Sequence, residues 1–342
     1  MARTDSPPAK PSTPQNTTLL DVARAAGVSK ITASRAFSNP GVVTEETRRK
    51  VHEAATRIGY LQNFVAGSLK SKRSRLIACV VPTIASGSVF LPAVRAMTQA
   101  FERLGYHVML SQRGYGAAQE NQQIETVLGR RPDGIVLTGT FVSTAARRRL
   151  KTSGLPIMEM WDMARAPIDM LVGFSHEAAG RKAAAYLHAK GHRRLAMISA
   201  TEPRSAARER GFVAALQELG LPAPHIHSVA PPTRMGHGRQ GLDMLLQADP
   251  QLDAVFCTTD MVALGVVIEA QSRGLNIPEQ LAVMGFGDMD FAVDTIPSLT
   301  TIHIDNEQLG ERAAVLVVEA LEGRRSKRVL DMGFQIIERA SA

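Results

Sequence analysis

From residue 76 onward the sequence alternates short apolar runs with amphipathic segments, and this alternation constrains the fold more than any other feature. The apolar runs have the length and continuous hydrophobicity of strands buried on both faces, and the segments between them have the apolar spacing of helices. We predict strands at 76–82, 107–111, 134–138, 156–161, 194–200, 254–259 and 281–286, and helices that include 92–104, 117–130, 177–190 and 204–219. His225 and His227 lie in a further predicted strand.

This order of elements predicts the architecture of the larger part of the chain. Repeated strand–helix–strand units are typical of parallel sheets that are covered by helices on both faces. Two such halves of similar length predict two doubly wound subdomains. Ligands in this architecture bind between the halves, outside the carboxyl ends of the strands.

A different pattern occupies residues 19–38, where two short helices are predicted with a tight turn between them. Gly27 can adopt the left-handed conformation that ends the first helix. Ser29 is a suitable N-cap for the second helix, which begins at Lys30. A third helix is predicted within residues 44–59, with acidic residues in its first turn. Together these segments predict a three-helix unit that contains a helix-turn-helix.

The second helix carries side chains that are suited to contact DNA bases. Arg35 can bond two acceptors of guanine, Lys30 can reach guanine or phosphate, and Ile31 can touch a thymine methyl group. Ala33 and Phe37 lie four residues apart and are predicted to face the core. An ordinary helical hairpin with a solvated basic face remains the alternative at this point.

The distribution of charge favours nucleic acid as a partner of the first part of the chain. Residues 1–75 carry 13 Lys or Arg against 5 Asp or Glu, a net charge of +8. Residues 76–342 carry 27 of each kind. The whole excess of positive charge therefore lies in the first fifth of the chain, as expected of a segment that binds the phosphate backbone.

Other features predict a cytoplasmic protein with no membrane partner. No stretch approaches the roughly 20 apolar residues that a membrane-spanning helix needs. Residues 1–16 are rich in Pro and Ser without an apolar run, so we predict a disordered tail rather than a secretory signal. Cys79 and Cys257 each lie in an apolar run and are predicted to be buried, reduced thiols. The sequence predicts no metal site and no cofactor.

Ordered motifs run through the chain after the predicted tail. In the first part they are Leu20-Asp21-Val22-Ala23, Ala26-Gly27-Val28-Ser29, Thr32, Ser34-Arg35, Gly59-Tyr60, Asn63, Ala66 and Leu69. In the second part they are Phe174-Ser175-His176-Glu177, Gly191-His192-Arg193-Arg194, Arg208 with Gly211-Phe212, and 256–260 with Ala263-Leu264-Gly265. With these motifs the sequence resembles the LacI/GalR family of bacterial transcriptional repressors. The resemblance implies an all-α helix-turn-helix headpiece and an α/β core similar to periplasmic binding proteins, built of two doubly wound parallel-sheet subdomains.

The resemblance also implies a division of the chain and a set of DNA-binding residues. The expected segments are a tail at 1–16, a headpiece at 17–60, a hinge at 61–75 and an effector-binding and dimerisation domain at 76–342. The expected DNA-binding residues are Thr18, Ser29, Lys30, Ile31, Thr32, Ser34, Arg35, Asn63, Ala66 and Leu69. The hinge of such repressors becomes helical on operator DNA, where Leu69 would enter the minor groove.

Within the family the resemblance is strongest to gluconate-type repressors. The residues that support it are Val89-Phe90, Gly114-Tyr115, Glu159 with Asp162, Val172-Gly173-Phe174, Phe256-Cys257-Thr258 and Gly285-Phe286-Gly287. Arg208 is expected to bind an effector carboxylate with its fork of donors, or else to form a structural ion pair with a nearby helix. The other expected effector-binding residues are Phe90, Thr138, Trp161, Phe174, Thr259, Asp260 and Asp288. Asp260 could instead cap the helix that follows it.

The sequence therefore predicts a homodimeric repressor that a sugar acid releases from its operator. Gluconate is the first expectation, and the controlled genes would serve uptake and catabolism of sugar acids. The alternatives are 2-ketogluconate, 6-phosphogluconate or a neutral sugar as the effector, or a ligand that strengthens DNA binding. A periplasmic sugar-binding protein would need a signal peptide, and an enzyme would need a catalytic constellation that the sequence lacks. The chain ends without a heptad-rich segment, which favours a dimer over a tetramer.

Overall fold

The computed structural model describes residues 17–38, 40–61, 73–84, 89–114, 117–139, 143–163, 166–324 and 328–342. The chain divides into two compact units, Met1–Lys72 and Arg73–Ala342. Most of the predicted hinge, with Asn63, Ala66 and Leu69, lies outside the described residues, and so does the predicted tail. Over the ranges given above, no helix combines the length and the hydrophobicity needed to cross a bilayer.

Three helices lie in the described part of the first unit, at the positions that the sequence indicates to within a few residues. They are α1 (Leu19–Ala26), α2 (Lys30–Ser38) and α3 (Glu45–Arg57), with a 3₁₀ turn at Pro40–Val42 before α3. Gly27 has a φ of +67° after α1, as its predicted role requires. The Ser29 hydroxyl accepts a hydrogen bond from the Thr32 amide at 3.0 Å, and Thr44 caps α3 in the same way through Thr47.

One apolar cluster joins the three helices. Val22, Ala33 and Val51, one residue from each helix, are fully buried in it. Phe37 packs against the same cluster, as its spacing from Ala33 predicts. The small core leaves the opposite side of α2 exposed to solvent.

The second unit contains two sheets. The first is formed by β1 (Leu76–Val81), β2 (His107–Gln112), β3 (Gly134–Thr138), β4 (Ile157–Met160), β5 (Met170–Gly173) and β11 (Val329–Asp331). The second is formed by β6 (Leu195–Ala200), β7 (His225–Val229), β8 (Ala254–Cys257), β9 (Ala282–Phe286), β10 (Thr300–His303) and β12 (Gln335–Ile337). The strand orders are β11-β5-β4-β3-β1-β2 and β12-β10-β9-β8-β6-β7. All neighbours are parallel except β12, which is antiparallel to β10.

Helices cover both sheets. They are α4 (Leu91–Arg103), α5 (Ala117–Gly129), α6 (Thr144–Thr152), α7 (His176–Ala189), α8 (Pro203–Glu218), α9 (Met235–Ala248), α10 (Asp260–Ser272) and α11 (Asn306–Leu321). The closest helix pairs are α4 with α11, α7 with α8, and α9 with α10. The chain crosses between the sheets after β5, after β10 and again between β11 and β12, so each subdomain is built from separate parts of the sequence.

The predicted strands are confirmed, including the one that contains His225, but four further strands were not predicted. These are β5, β10, β11 and β12, which have three or four residues each. Length alone does not explain this, since β4 and β8 also have four residues but lie within the longer apolar runs 156–161 and 254–259, which indicated a strand. Cys79 and Cys257 are buried free thiols, as predicted, and burial raises the pKa of Cys79 to about 12.

Two glycines allow α7 and α8 to pack against each other with their backbones in contact. A Cβ atom added to Gly180 of α7 would collide with the carbonyl oxygen of Arg208 in α8. A Cβ atom added to Gly211 of α8 would collide with the carbonyl oxygen of Glu177. Because the obstacle is backbone in both cases, it cannot move aside as a side chain could. These glycines therefore fix the position of the helix that carries Arg208.

We expect Gly180→Ala to destabilise the second unit by about 1–3 kcal/mol or more, because the added methyl group forces the two helices apart. Gly236→Ala is the matched control, since Gly236 is also helical and has open space where a Cβ would lie. That control should stay within about 1 kcal/mol of the wild type or gain stability. Urea unfolding of the three proteins measures the difference. Equal stability of the two variants would contradict the packing argument.

Candidate functional site

The exposed side of α2 carries the side chains that the sequence predicts to contact DNA bases. Lys30 and Arg35 are exposed, and Ile31 keeps 65% of its accessible surface although it is apolar. Ala33 and Ala36, on the other side of the helix, are buried. The arrangement leaves a cationic and apolar surface beginning at the N-terminus of α2, as a recognition helix requires.

Three of the four predicted hydroxyl-bearing residues lie at the starts of helices and have structural partners there. Thr18 donates a hydrogen bond to the Asp21 carboxylate at 2.6 Å and also caps α1. Ser29 and Thr32 share a hydrogen bond of 2.8 Å between their hydroxyls at the start of α2. Ser34 is half-buried on α2. Three of these hydroxyls therefore stabilise helix ends, a role that the sequence indicated for Ser29 alone.

A cleft lies between the two subdomains of the second unit, where strands of both sheets end. It is lined by Pro82, Val89, Phe90, Trp161, Ala200, Glu202, Arg204, Ser205, Arg208, Pro231, Pro232, Thr233 and Thr259. Pro82 and Trp161 directly follow β1 and β4, and Ala200 is the last residue of β6. The cleft contains about 600 Å³ of empty space, a volume that includes the part open to solvent.

Arg208 is buried at the base of this cleft, with 3% of its surface exposed. Its Nη1 donates to Nδ1 of His176 at 2.8 Å, and its Nη2 donates to the Ser205 hydroxyl at 3.0 Å. The guanidinium also lies 4.1 Å from the ring centre of Phe286 and 3.7 Å from the Glu202 carboxylate. Arg208 therefore has an ion-pair partner alongside its position in the cleft, but this partner is the N-cap residue of its own helix and not part of a nearby helix.

Arg204, one turn before Arg208 on α8, also lines the cleft and was not predicted. Its Nε donates to the Asp162 carboxylate at 3.1 Å, and 11% of the side chain is exposed. The guanidinium lies 5.7 Å from the ring centre of Trp161 and 5.8 Å from that of Phe90. Its four-residue spacing from Arg208, at the start of a helix that follows a buried strand, was the available signal.

Three buried N–H donors of the cleft have no acceptor within the described part of the chain. They are Nε1 of Trp161, Nη2 of Arg204 and Nε of Arg208. A buried donor without an acceptor costs about 1–3 kcal/mol, and more when it is charged. A ligand that brings several oxygen atoms into the cleft would remove this cost.

The protonation of the buried groups around Arg208 is consistent with their hydrogen bonds. Burial lowers the pKa of His176 below its ordinary value, so the ring is neutral at pH 7. Its Nε2 donates to the Trp161 carbonyl at 2.9 Å, which leaves Nδ1 to accept from Arg208. Burial alone would raise the pKa of Glu202, but the charges of Arg208 and Arg204 lower it below its ordinary value. Burial also lowers the pKa of Arg208 to about 10, which keeps it charged.

Four of the eight predicted effector residues line the cleft, namely Phe90, Trp161, Arg208 and Thr259. Phe174 is fully buried behind Trp161, with 5.4 Å between the ring centres. Thr138 is fully buried at the end of β3, and its hydroxyl donates to the Val80 carbonyl at 3.4 Å.

The two predicted aspartates bond to other protein groups. Asp260 is fully buried and accepts hydrogen bonds from the Thr301 hydroxyl at 2.5 Å and from the Met289 amide at 2.7 Å. The alternative role of Asp260 as a helix cap is wrong, because the N-cap of α10 is Thr259. Asp288 pairs with His303 and Arg339. Across the ranges that the structure describes, no cluster of three His, Cys, Asp or Glu side chains is arranged to hold a metal ion.

Comparison with known proteins decides what the two units belong to. Residues 18–63 match the family described as bacterial regulatory proteins, lacI family, and residues 184–342 match the periplasmic binding protein-like domain. The HTH-type transcriptional regulator GntR of Pseudomonas aeruginosa is 37% identical over 327 residues, which are 95% of each chain. The chain belongs to the LacI family. The resemblance found in the sequence is thereby confirmed.

Solved structures of this family share the fold. A LacI-family transcriptional regulator from Silicibacter pomeroyi is 29% identical, with a TM-score of 0.87 over 95% of this chain and 99% of that one. The Lac repressor dimer bound to operator and the anti-inducer ONPF is 24% identical, with a TM-score of 0.83 over 96% and 99%. The chain is therefore a DNA-binding transcriptional repressor of the LacI family with a two-subdomain α/β core, and its relatives are regulators rather than enzymes.

Proposed function

We propose that this LacI-family repressor binds its operator as a homodimer and that a sugar acid, gluconate in the first place, releases it by binding in the cleft. The controlled genes would serve the uptake and catabolism of sugar acids. The observation that carries the proposal is the set of three buried N–H donors in the cleft without an acceptor among the described residues, two of which belong to arginines.

The chemistry of these donors favours an acid over a neutral sugar. A carboxylate is an acceptor at every lone pair and forms stronger hydrogen bonds with a guanidinium than a hydroxyl does. Glu202 offers acceptors for the hydroxyl groups of the same ligand, and Trp161 and Phe90 offer apolar surface to its carbon chain. A polyhydroxy acid therefore matches the polar and apolar parts of the cleft together.

The DNA-binding part of the proposal rests on the exposed surface of α2. We propose that Lys30, Ile31 and Arg35 contact bases in the major groove. We propose that Thr18, Ser29, Thr32 and Ser34 lie along the sugar–phosphate backbone of the DNA. Two copies of the chain would present two such helices to the half-sites of a pseudo-palindromic operator. Asn63, Ala66 and Leu69, which lie outside the described residues, remain proposed minor-groove contacts.

The effector and the operator are linked through one free energy of coupling. If gluconate weakens operator binding by a given factor, operator DNA weakens gluconate binding by the same factor. A ligand that acts as a corepressor would change both affinities in the opposite direction. The sign of the change in a gel-shift titration therefore separates induction from corepression.

We expect gluconate to bind on the order of 10- to 100-fold more tightly than D-glucitol, because hydrogen bonds to a charged group contribute about 1.5–3 kcal/mol. Glucitol has the same carbon chain with a hydroxymethyl group in place of the carboxylate. Calorimetric titration of the full chain measures both ligands, with 2-ketogluconate and 6-phosphogluconate alongside. Equal affinity for glucitol would favour a neutral sugar, and a lack of binding by all four would refute the proposed effector class.

A further inference from the structure

Three exposed arginines lie together at one edge of the first sheet. Arg75 directly precedes β1, and Arg131 lies three residues before β3, with Arg130 beside it in the chain. β1 and β3 are parallel neighbours in which Ile77 lies opposite Gly134, so the segments that precede them are side by side. We call Arg75, Arg130 and Arg131 the arginine edge.

Asp133 holds the two segments of the arginine edge together. Its carboxylate accepts hydrogen bonds from the backbone amides of Ser74 and Arg75, each at 2.8 Å. Its own amide donates to the Leu76 carbonyl at 2.7 Å. The backbone that carries the arginines is therefore fixed to the sheet.

Both segments place an arginine in a backbone conformation that favours glycine. The φ angle is +54° at Arg75 and +51° at Arg131. In this left-handed region a Cβ atom crowds the backbone, so glycine would fit at lower cost. Four residues other than glycine have a positive φ in the part of the chain that the structure describes, and two of them belong to the arginine edge. Strained residues of this kind concentrate at functional positions, where the side chain itself is needed.

The charges of the arginine edge are available to a partner. No hydrogen bond or ion pair holds the guanidinium of Arg130 or Arg131 among the residues that the structure describes. Arg75 donates to the Gly105 carbonyl at 3.4 Å, a neutral acceptor that leaves its charge uncompensated. Glu102, in the last turn of α4, is an exposed acid at the same end of the subdomain. Three cations beside one such acid leave an excess of positive charge.

The chain passes from the helix-turn-helix unit into the second unit at this edge. The first unit ends at Lys72, and the second begins at Arg73, two residues before Arg75. The arginine edge is thus the part of the second unit that lies closest along the chain to the DNA-binding helices.

We propose that the arginine edge binds phosphate groups of the operator, so that the second unit adds to the affinity for DNA. A guanidinium forms charge-assisted hydrogen bonds with a phosphate, and its binding releases counterions that the duplex holds. Such contacts carry no sequence information and raise the affinity for any duplex. The proposal concerns the DNA contact alone and does not depend on which effector binds in the cleft.

The test is the salt dependence of operator binding, measured by fluorescence anisotropy with the full chain and an operator duplex selected from a random-sequence pool. Each phosphate contact contributes about 0.9 to the slope of log K against log salt concentration. For the double variant Arg130→Gln with Arg131→Gln, the slope should become shallower by about 1.8 for each chain bound. Its affinity near about 0.1 M salt should fall by about tenfold or more. Arg130→Lys with Arg131→Lys keeps both charges and should keep most of the slope.

Lys182→Gln with Arg210→Gln is the matched control, because it removes two exposed cations from α7 and α8. This control should keep the wild-type slope. An equal loss of slope in the control would assign the effect to net charge and overturn the proposal.

Arg131→Gly separates the charge of the arginine edge from its framework. Glycine relieves the strained backbone, so the midpoint of thermal unfolding should stay the same or rise, while the slope falls by about 0.9 for each chain bound. An unchanged slope in this variant or in the glutamine double variant overturns the proposal. A lysine double variant that loses as much slope as the glutamine double variant does so too, because the contact would then not depend on charge.

Discussion

Replacement of Arg35 by alanine is expected to reduce the preference of this repressor for its operator over random DNA by on the order of 5- to 150-fold. The reason is that a bidentate contact between a side chain and a base contributes about 1–3 kcal/mol of discrimination. Arg35 is exposed on α2, and within the described residues no hydrogen bond or ion pair holds its guanidinium. It is therefore free to bond the two acceptors of guanine.

The preference is measured by competition gel shifts, in which labelled operator is displaced by unlabelled operator or by random DNA. Arg49→Ala is the matched control, because it removes the same charge from α3 of the same unit, where Arg49 is 70% exposed. Loss of a phosphate contact weakens binding to every sequence and leaves the ratio unchanged. An Arg35→Ala protein that keeps the wild-type preference would show that bases are recognised by other residues.

The fold follows from the sequence to a large extent, because its elements have local causes. The buried strand β3 coincides with the predicted run at 134–138, and α1 ends at the glycine that the sequence indicates. The short strands β11 and β12 could not be predicted in this way. They are formed by pairing with β5 and β10, which are distant in the chain, rather than by a pattern of their own.

The contacts that form the cleft could be predicted less well than the fold, because they depend less on local sequence. Arg208 was identified through its motif, but the burial of its partner His176 and the ring of Phe286 beside it appear only when α7, α8 and β9 are assembled. Two residues show this limit of sequence-based prediction: Asp260 was predicted to bind the effector, and Arg204, which lines the cleft, was not predicted. The expectation for Asp260 came from the resemblance, although its partners are Thr301 and Met289. The pairing of Arg204 with Asp162 joins two subdomains that no local pattern relates.

Replacement of Arg208 by lysine is expected to weaken gluconate binding by on the order of 30-fold or more, since removing one partner of a buried charged contact costs about 2–5 kcal/mol. Lysine keeps the charge but has a single nitrogen, whereas Arg208 donates to His176 and Ser205 and still has Nε without an acceptor. One ammonium group cannot serve these protein partners and a carboxylate together. The same change in a purely structural ion pair would lower stability without affecting one ligand more than another.

The decisive quantity is therefore the ratio of gluconate to glucitol affinity in each variant. If Arg208 holds the carboxylate, this ratio should approach one in Arg208→Lys while the affinity for glucitol changes little. Arg181→Lys provides the control, because Arg181 pairs with Glu218 in an exposed ion pair between α7 and α8, and such pairs contribute about 0–1 kcal/mol. Thermal unfolding of both variants reports any loss of packing. If Arg208→Lys is less stable but still prefers gluconate as strongly as the wild type, Arg208 has a structural role alone. Another cation of the cleft must then bind the carboxylate.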